Sequence, residues 1–139
     1  MTIFPNQVEA VIFDMDGLLL DTERVYVAAI MGASRAVGFD MSEQFCHSMI
    51  GLPGSEADAM VENHFGPTFP MPDYLTRCSA LIVNAIEAGI PLKPGAMELI
   101  RYLLQQRIPI ATATSSVRKN AVRLLRKSGL FEHFELVIR

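Results

Sequence analysis

The sequence predicts an α/β fold, an incomplete doubly wound parallel-sheet core carrying an inserted α-helical domain. Three observations lead there. Val11-Ile12-Phe13 is a continuous β-branched and aromatic run bounded by turn residues, as expected of a strand buried on both faces of a parallel sheet, and Ile108 to Ala111 is a second apolar run. The residues between them repeat at helical rather than alternating spacing. A third apolar run starts at Phe134 and reaches Ile138, at the end of the 139 residues.

The first strand, Val8 to Phe13, runs into Asp14. Ligand crevices of open α/β sheets lie outside the carboxyl ends of the strands, so Asp14 stands where a catalytic group belongs. Gly17 lets the backbone turn sharply out of the strand, and Asp21 or Thr22 can cap a helix that begins near Glu23. Asp14 and Asp16, two residues apart at such a bend, can divide the labour of phosphoryl transfer. One carboxylate attacks phosphorus to form an aspartyl-phosphate while the other exchanges protons with the leaving oxygen or the attacking water. Crowded anions facing an anionic substrate repel one another, so the chemistry implies a hard cation such as Mg²⁺. DMDG can also be read as a plain polar turn or as a calcium loop. Such a loop needs a preceding helix, a glycine at its sixth position and a glutamate at its twelfth, whereas here a strand precedes, Gly17 comes early and three leucines follow.

The stretch FDMDGLLLDTE, Phe13 to Glu23, resembles the first motif of the haloacid dehalogenase superfamily, in its branch of β-phosphoglucomutase-like phosphatases with a helical cap. The resemblance implies a Rossmann-like core, with Asp14 as nucleophile and Mg²⁺ ligand. It also implies that Asp16 is the general acid/base and offers its backbone carbonyl to the metal. Superfamily members that cleave carbon–halogen or carbon–phosphorus bonds lack an aspartate at that second position, so those chemistries are disfavoured.

The second strand leads into Thr112, Ala113, Thr114, Ser115 and Ser116, after which a helix over Val117 to Ser128 is expected. Strand, hydroxyl-rich turn and helix in that order aim backbone N–H groups and the helix dipole at an anion. ATSSVR, Ala113 to Arg118, is similar to the family's second motif. Thr114 would then bind phosphate through its hydroxyl, and Ser115 mainly through its backbone N–H. The competing reading makes Ser115 or Ser116 a helix N-cap. On the helix, Ala121, Leu124 and Leu125 form an inner face, Gly129 is a C′ stop, and Arg118, Lys119, Arg123, Arg126 and Lys127 form a solvated basic face.

Between the motifs, helices are expected over Glu23 to Val37, Ser42 to Met49, Ser55 to Phe65 and Asp73 to Glu87, separated by the turn-rich Gly51-Leu52-Pro53-Gly54 and Gly66 to Pro72. Seams near Leu19 and Pro91 to Gly95 divide the chain into 1–18, core with the nucleophile motif; 19–91, helical cap; and 92–139, core with the second motif. The last part opens with a helix bearing Leu99, Ile100, Leu103 and Leu104 on its apolar side. In the family such a cap closes over the phosphate site and chooses the substrate, and the loop Ile50 to Glu56 resembles its substrate-facing loop. Closure would exclude water and strengthen the electrostatics.

His47, His64 and His133 have no ligand spacing, and Cys46 and Cys78 match no zinc or redox pattern, which suits reduced thiols. Eight methionines, Met31, Met41 and Met60 among them, fit core or cap gap-filling. A net charge of -3 and a pI near 5.6 argue against nucleic acid as a partner. No signal peptide or long apolar span is apparent, so a cytoplasmic protein with no membrane partner is expected.

Family members continue through a third motif with a lysine and a fourth with acidic residues, and neither has a counterpart here. The expectation is therefore the amino-terminal portion of a larger hydrolase, weakly active or inactive alone, whose first strand becomes an exposed apolar edge open to self-association or a partner chain. Three function classes follow. A Mg²⁺-dependent phosphatase for a small phosphorylated metabolite, such as a sugar phosphate, is favoured. A phosphomutase with the same nucleophile and a non-catalytic interaction fragment are the alternatives.

Overall fold

A computed structural model of the chain describes residues 7–134 and 136–138. The elements run β1 (Val11–Asp14), α1 (Thr22–Ala36), α2 (Glu43–Met49), α3 (Gly54–Phe65), α4 (Met71–Ala88), α5 (Ala96–Gln105), β2 (Ile110–Ala113), α6 (Arg118–Lys127), a 3-10 turn (Phe131–His133) and β3 (Leu136–Ile138). They form two compact units, one of Met1–Thr22 with Ala88–Arg139 and one of Glu23–Glu87.

In the first unit the strands form a parallel sheet in the order β1-β2-β3. The register sets Phe13 opposite Thr112 and Asp14 opposite Ala113, so the carboxyl ends of β1 and β2 are level. The buried Thr112 hydroxyl donates to the Phe13 carbonyl at 3.0 Å, which ties the two strands beside the ladder. The first strand is not buried on both faces as its composition suggested. Its residues alternate: Phe13 is buried while Ile12 is 63% exposed. Among the described residues β1 pairs only with β2, so it is an edge strand, and a parallel strand reads as continuously apolar only where both faces are covered.

The two helices that lead into the next strands end alike. After α5 the amides of Arg107 and Ile108 bond the carbonyls of Leu104 and Leu103, and after α6 those of Gly129 and Leu130 bond Arg126 and Leu125. Both are Schellman closures with a left-handed C′ residue, glycine at 129 (φ 76°) and an arginine at 107 (φ 57°). On α5 the expected apolar side is narrower: Ile100 and Leu103 are buried, whereas Leu99 and Leu104 are exposed. The latter pair flanks the stripe on either side, where a helix turns its residues back to solvent. Ala121, Leu124 and Leu125 are the buried residues of α6, as their spacing predicts.

Within this unit the chain crosses itself where the insert leaves and returns. Lys93 donates its amide to the Leu19 carbonyl, Asp21 donates its own to Pro91, and Leu20 and Leu92 form an antiparallel bridge. The Lys93 Nζ lies 3.6 Å from Asp21 Oδ1, so that carboxylate serves the crossing.

The helical unit has its own core, including Val27, Ala33, Met41, Cys46, Val61 and Tyr74, with Met31 and Met60 packed against it. Phe39, Phe65, Phe69 and Tyr74 lie edge-on or stacked at centroid separations of 5.0 to 5.4 Å, favourable geometries for ring quadrupoles. Ser42 caps α2 by accepting from the Phe45 amide, and of the loop Ile50 to Glu56 residues 51–53 form the exposed turn into α3 while 54–56 are its first helical residues. Cys46 and Cys78 are free and buried. Burial raises both thiols above their ordinary range, helped at Cys78 by nearby Asp58. Among the described residues no helix is long and apolar enough to cross a membrane.

Candidate active site

β1 ends in Asp14, an exposed side chain whose Oδ1 accepts from the Met15 amide at 2.8 Å. The chain then turns on itself: Leu19 and Leu20 donate their amides to the Met15 carbonyl, and Gly17, at φ 75°, donates to Leu20. Met15, Leu19 and Leu20 are buried and hold the turn down, which leaves Asp16 half-buried between them. A left-handed residue in such a tight loop favours glycine, because any Cβ there crowds the backbone.

The turn after β2 supplies the other side. Asp16 Oδ2 accepts from the Ser116 hydroxyl at 3.0 Å and, at a longer 3.4 Å, from the Thr114 hydroxyl. The Ser116 amide in turn donates to Thr114 Oγ1 at 3.1 Å. Asp16 Oδ1 is buried and has no hydrogen-bond partner among the described residues. A carboxylate oxygen so placed can take a cation or a hydrogen bond from a group outside this set.

Of the residues singled out by sequence, Asp16 and Thr114 meet directly, and Asp14 ends the strand paired with β2. The Ser115 side chain is exposed. Ser116 does not cap α6; the N-cap is Val117, with no side-chain bond, and the Ser116 hydroxyl goes to Asp16. A signal for this lay in the strand period. Ile110, Thr112 and Thr114 are buried at every second position, and continuing that alternation selects Ser116 rather than Ser115. His47 and His64 belong to the helical unit, where His47 lies 3.6 Å from Glu43 and His64 stacks on Phe45.

The donor set suits a hard divalent cation: two carboxylates on one turn, one with a buried oxygen lacking a donor. Among the described residues no group of three or more His, Cys, Asp or Glu side chains is gathered. Mg²⁺ keeps several waters and is commonly held by one or two carboxylates, so Asp14 and Asp16 fit it.

Known proteins resemble the chain along nearly all of its length. A phosphorylated carbohydrates phosphatase of Thermotoga maritima is 27% identical over 130 residues, covering 94% of this chain and 60% of that protein. A probable pseudouridine-5'-phosphatase of Saccharomyces cerevisiae is 35% identical over 135 residues, covering 95% of this chain and 55% of its own length. Among solved structures, a Thermotoga maritima protein provisionally named a β-phosphoglucomutase superposes with a TM-score of 0.76 at 27% identity, over 94% of this chain and 60% of that one. The chain thus spans somewhat under two thirds of the length of these relatives. The haloacid dehalogenase-like hydrolase family model matches residues 11–139, and with the strand-end carboxylates and the hydroxyl-rich second turn in place, the chain belongs to that family.

Proposed function

We propose that this chain carries the nucleophile and phosphate-binding motifs of a Mg²⁺-dependent phosphatase that hydrolyses a small phosphorylated metabolite, a sugar phosphate in the first instance. One observation carries the reading: the exposed Asp14 carboxylate at the end of β1 stands next to a turn whose second carboxylate, Asp16, is engaged by Thr114 and Ser116 from the end of β2. The phosphatase names of the two curated relatives support monoester hydrolysis over other family chemistries.

Asp14 attacks phosphorus, a P–O bond to the enzyme forms, and the bond to the leaving alcohol breaks as Asp16 gives its proton to that oxygen. A water then loses its proton to Asp16 and attacks the same phosphorus, which frees inorganic phosphate and restores the Asp14 carboxylate. Thr114, through its hydroxyl, and Ser115, through its backbone N–H, hold the phosphoryl oxygens. Asp14 and Asp16 would hold Mg²⁺, which would supply charge neutralisation between the carboxylates and the phosphate. The helical unit Glu23–Glu87 is the cap that selects the substrate.

The test is incubation with a radiolabelled sugar phosphate and Mg²⁺, reading free phosphate and protein-bound label together. Free phosphate and a transient label are expected, EDTA removing both and Asp14→Asn lowering turnover more than about a thousand-fold. Label persisting in Asp14→Asn sinks the nucleophile assignment; an interconverted sugar phosphate without free phosphate makes the protein a mutase.

A further inference from the structure

We propose that Ser116 is a positioning residue for Asp16: its hydroxyl holds the carboxylate by Oδ2 and so fixes the orientation of that side chain at the end of β2. The inference rests on the phosphatase reading above. Ser116 and Asp16 are 100 residues apart in sequence, yet their side chains meet at 3.0 Å. The serine hydroxyl donates and the Asp16 oxygen accepts.

The serine is itself held. Its amide donates to Thr114 Oγ1 at 3.1 Å, and that hydroxyl lies a longer 3.4 Å from the same Asp16 oxygen. The two hydroxyls and the amide form one closed network on one oxygen. The other oxygen, Oδ1, is buried with no partner among the described residues. Ser116 also forgoes the capping role open to a serine just before a helix, and the N-cap of α6 is Val117, with no side-chain bond.

The experiment compares Ser116→Ala and Ser116→Thr with the unaltered protein, by sugar phosphate kinetics and by crystal structures. Ser116→Ala is expected to lower kcat about ten- to a hundred-fold while KM stays within about two-fold, as for a misplaced acid/base group. Ser116→Thr, which keeps the hydroxyl, is expected to recover kcat. A raised KM with kcat retained would make Ser116 a substrate ligand and overturn the proposal. In the Ser116→Ala crystal the Asp16 carboxylate is expected to rotate away from β2; a carboxylate that keeps its place overturns the proposal whatever the kinetics show. If the unaltered protein hydrolyses no phosphomonoester, the phosphatase reading fails, while the crystal comparison still decides the tether. Should Ser116→Ala not fold, Ser116→Cys, close in volume with a weaker donor, takes its place in both measurements.

Discussion

Thr112→Val tests how β1 is attached to the rest of the sheet. The Thr112 side chain is wholly buried and its hydroxyl reaches across to the Phe13 carbonyl at 3.0 Å, one residue before Asp14. Valine keeps the branch at Cβ and replaces the hydroxyl with a methyl. The lost hydrogen bond costs about 0.5–1.5 kcal/mol, and a carbonyl left short of a partner adds up to about 1–3 kcal/mol. A carbonyl has two lone pairs, so the lower part of that range applies here. Burying the new methyl returns about 0.8 kcal/mol. The net expectation is a loss of about 0.5–2 kcal/mol. With a urea slope of about 1–3 kcal/mol per molar, the midpoint falls by roughly half a molar. Equilibrium urea denaturation measures it, and amide exchange at Phe13 and Asp14 should quicken more than exchange in α5, because β1 pairs on one side only among the described residues. An unchanged or raised midpoint would refute the reasoning.

The two Schellman closures predict opposite effects of glycine. Gly129→Ala should cost about 1–2 kcal/mol because alanine resists the left-handed conformation, whereas Arg107→Gly should be neutral or stabilising by up to about 1 kcal/mol; thermal midpoints decide, and a drop on Arg107→Gly would mean that its side chain contributes to the fold. Cys46 and Cys78 should resist a thiol reagent in the folded protein and react fully on unfolding, because burial keeps them protonated; fast native labelling would contradict that. Burial also raises Tyr74, so all three groups lose their protons first in the unfolded chain. Their stabilising contribution is whole below the ordinary values of 9.0 for the thiols and 10.0 for the tyrosine, and is lost as pH rises beyond them. The thermal midpoint should therefore fall above about pH 9, and a rise there would contradict the assignment.

Much of the secondary structure was legible because it depends on local spacing. The apolar rows of α6, the serine before α2 and the glycine after α6 announce themselves within a turn or two of helix, and their elements begin and end within a residue or two of expectation. Burial was legible only in part. Val11-Ile12-Phe13 has the composition of a doubly covered strand, but coverage depends on what lies on either side, and Ile12 is exposed. Leu99 and Leu104 fail in the same way, since an apolar residue at the rim of a helical stripe is buried only if a neighbour reaches it.

The sequence by itself determined the family, the order of strands and helices, and the carboxylate pair at a strand end, because these follow from residue type and spacing along a few neighbouring positions. Only the tertiary structure decided which of two adjacent serines turns toward Asp16 and which Asp16 oxygen is left without a donor. That choice depends on the register of β1 against β2, which sets groups a hundred residues apart within hydrogen-bond reach, and the local pattern of either segment alone does not contain it.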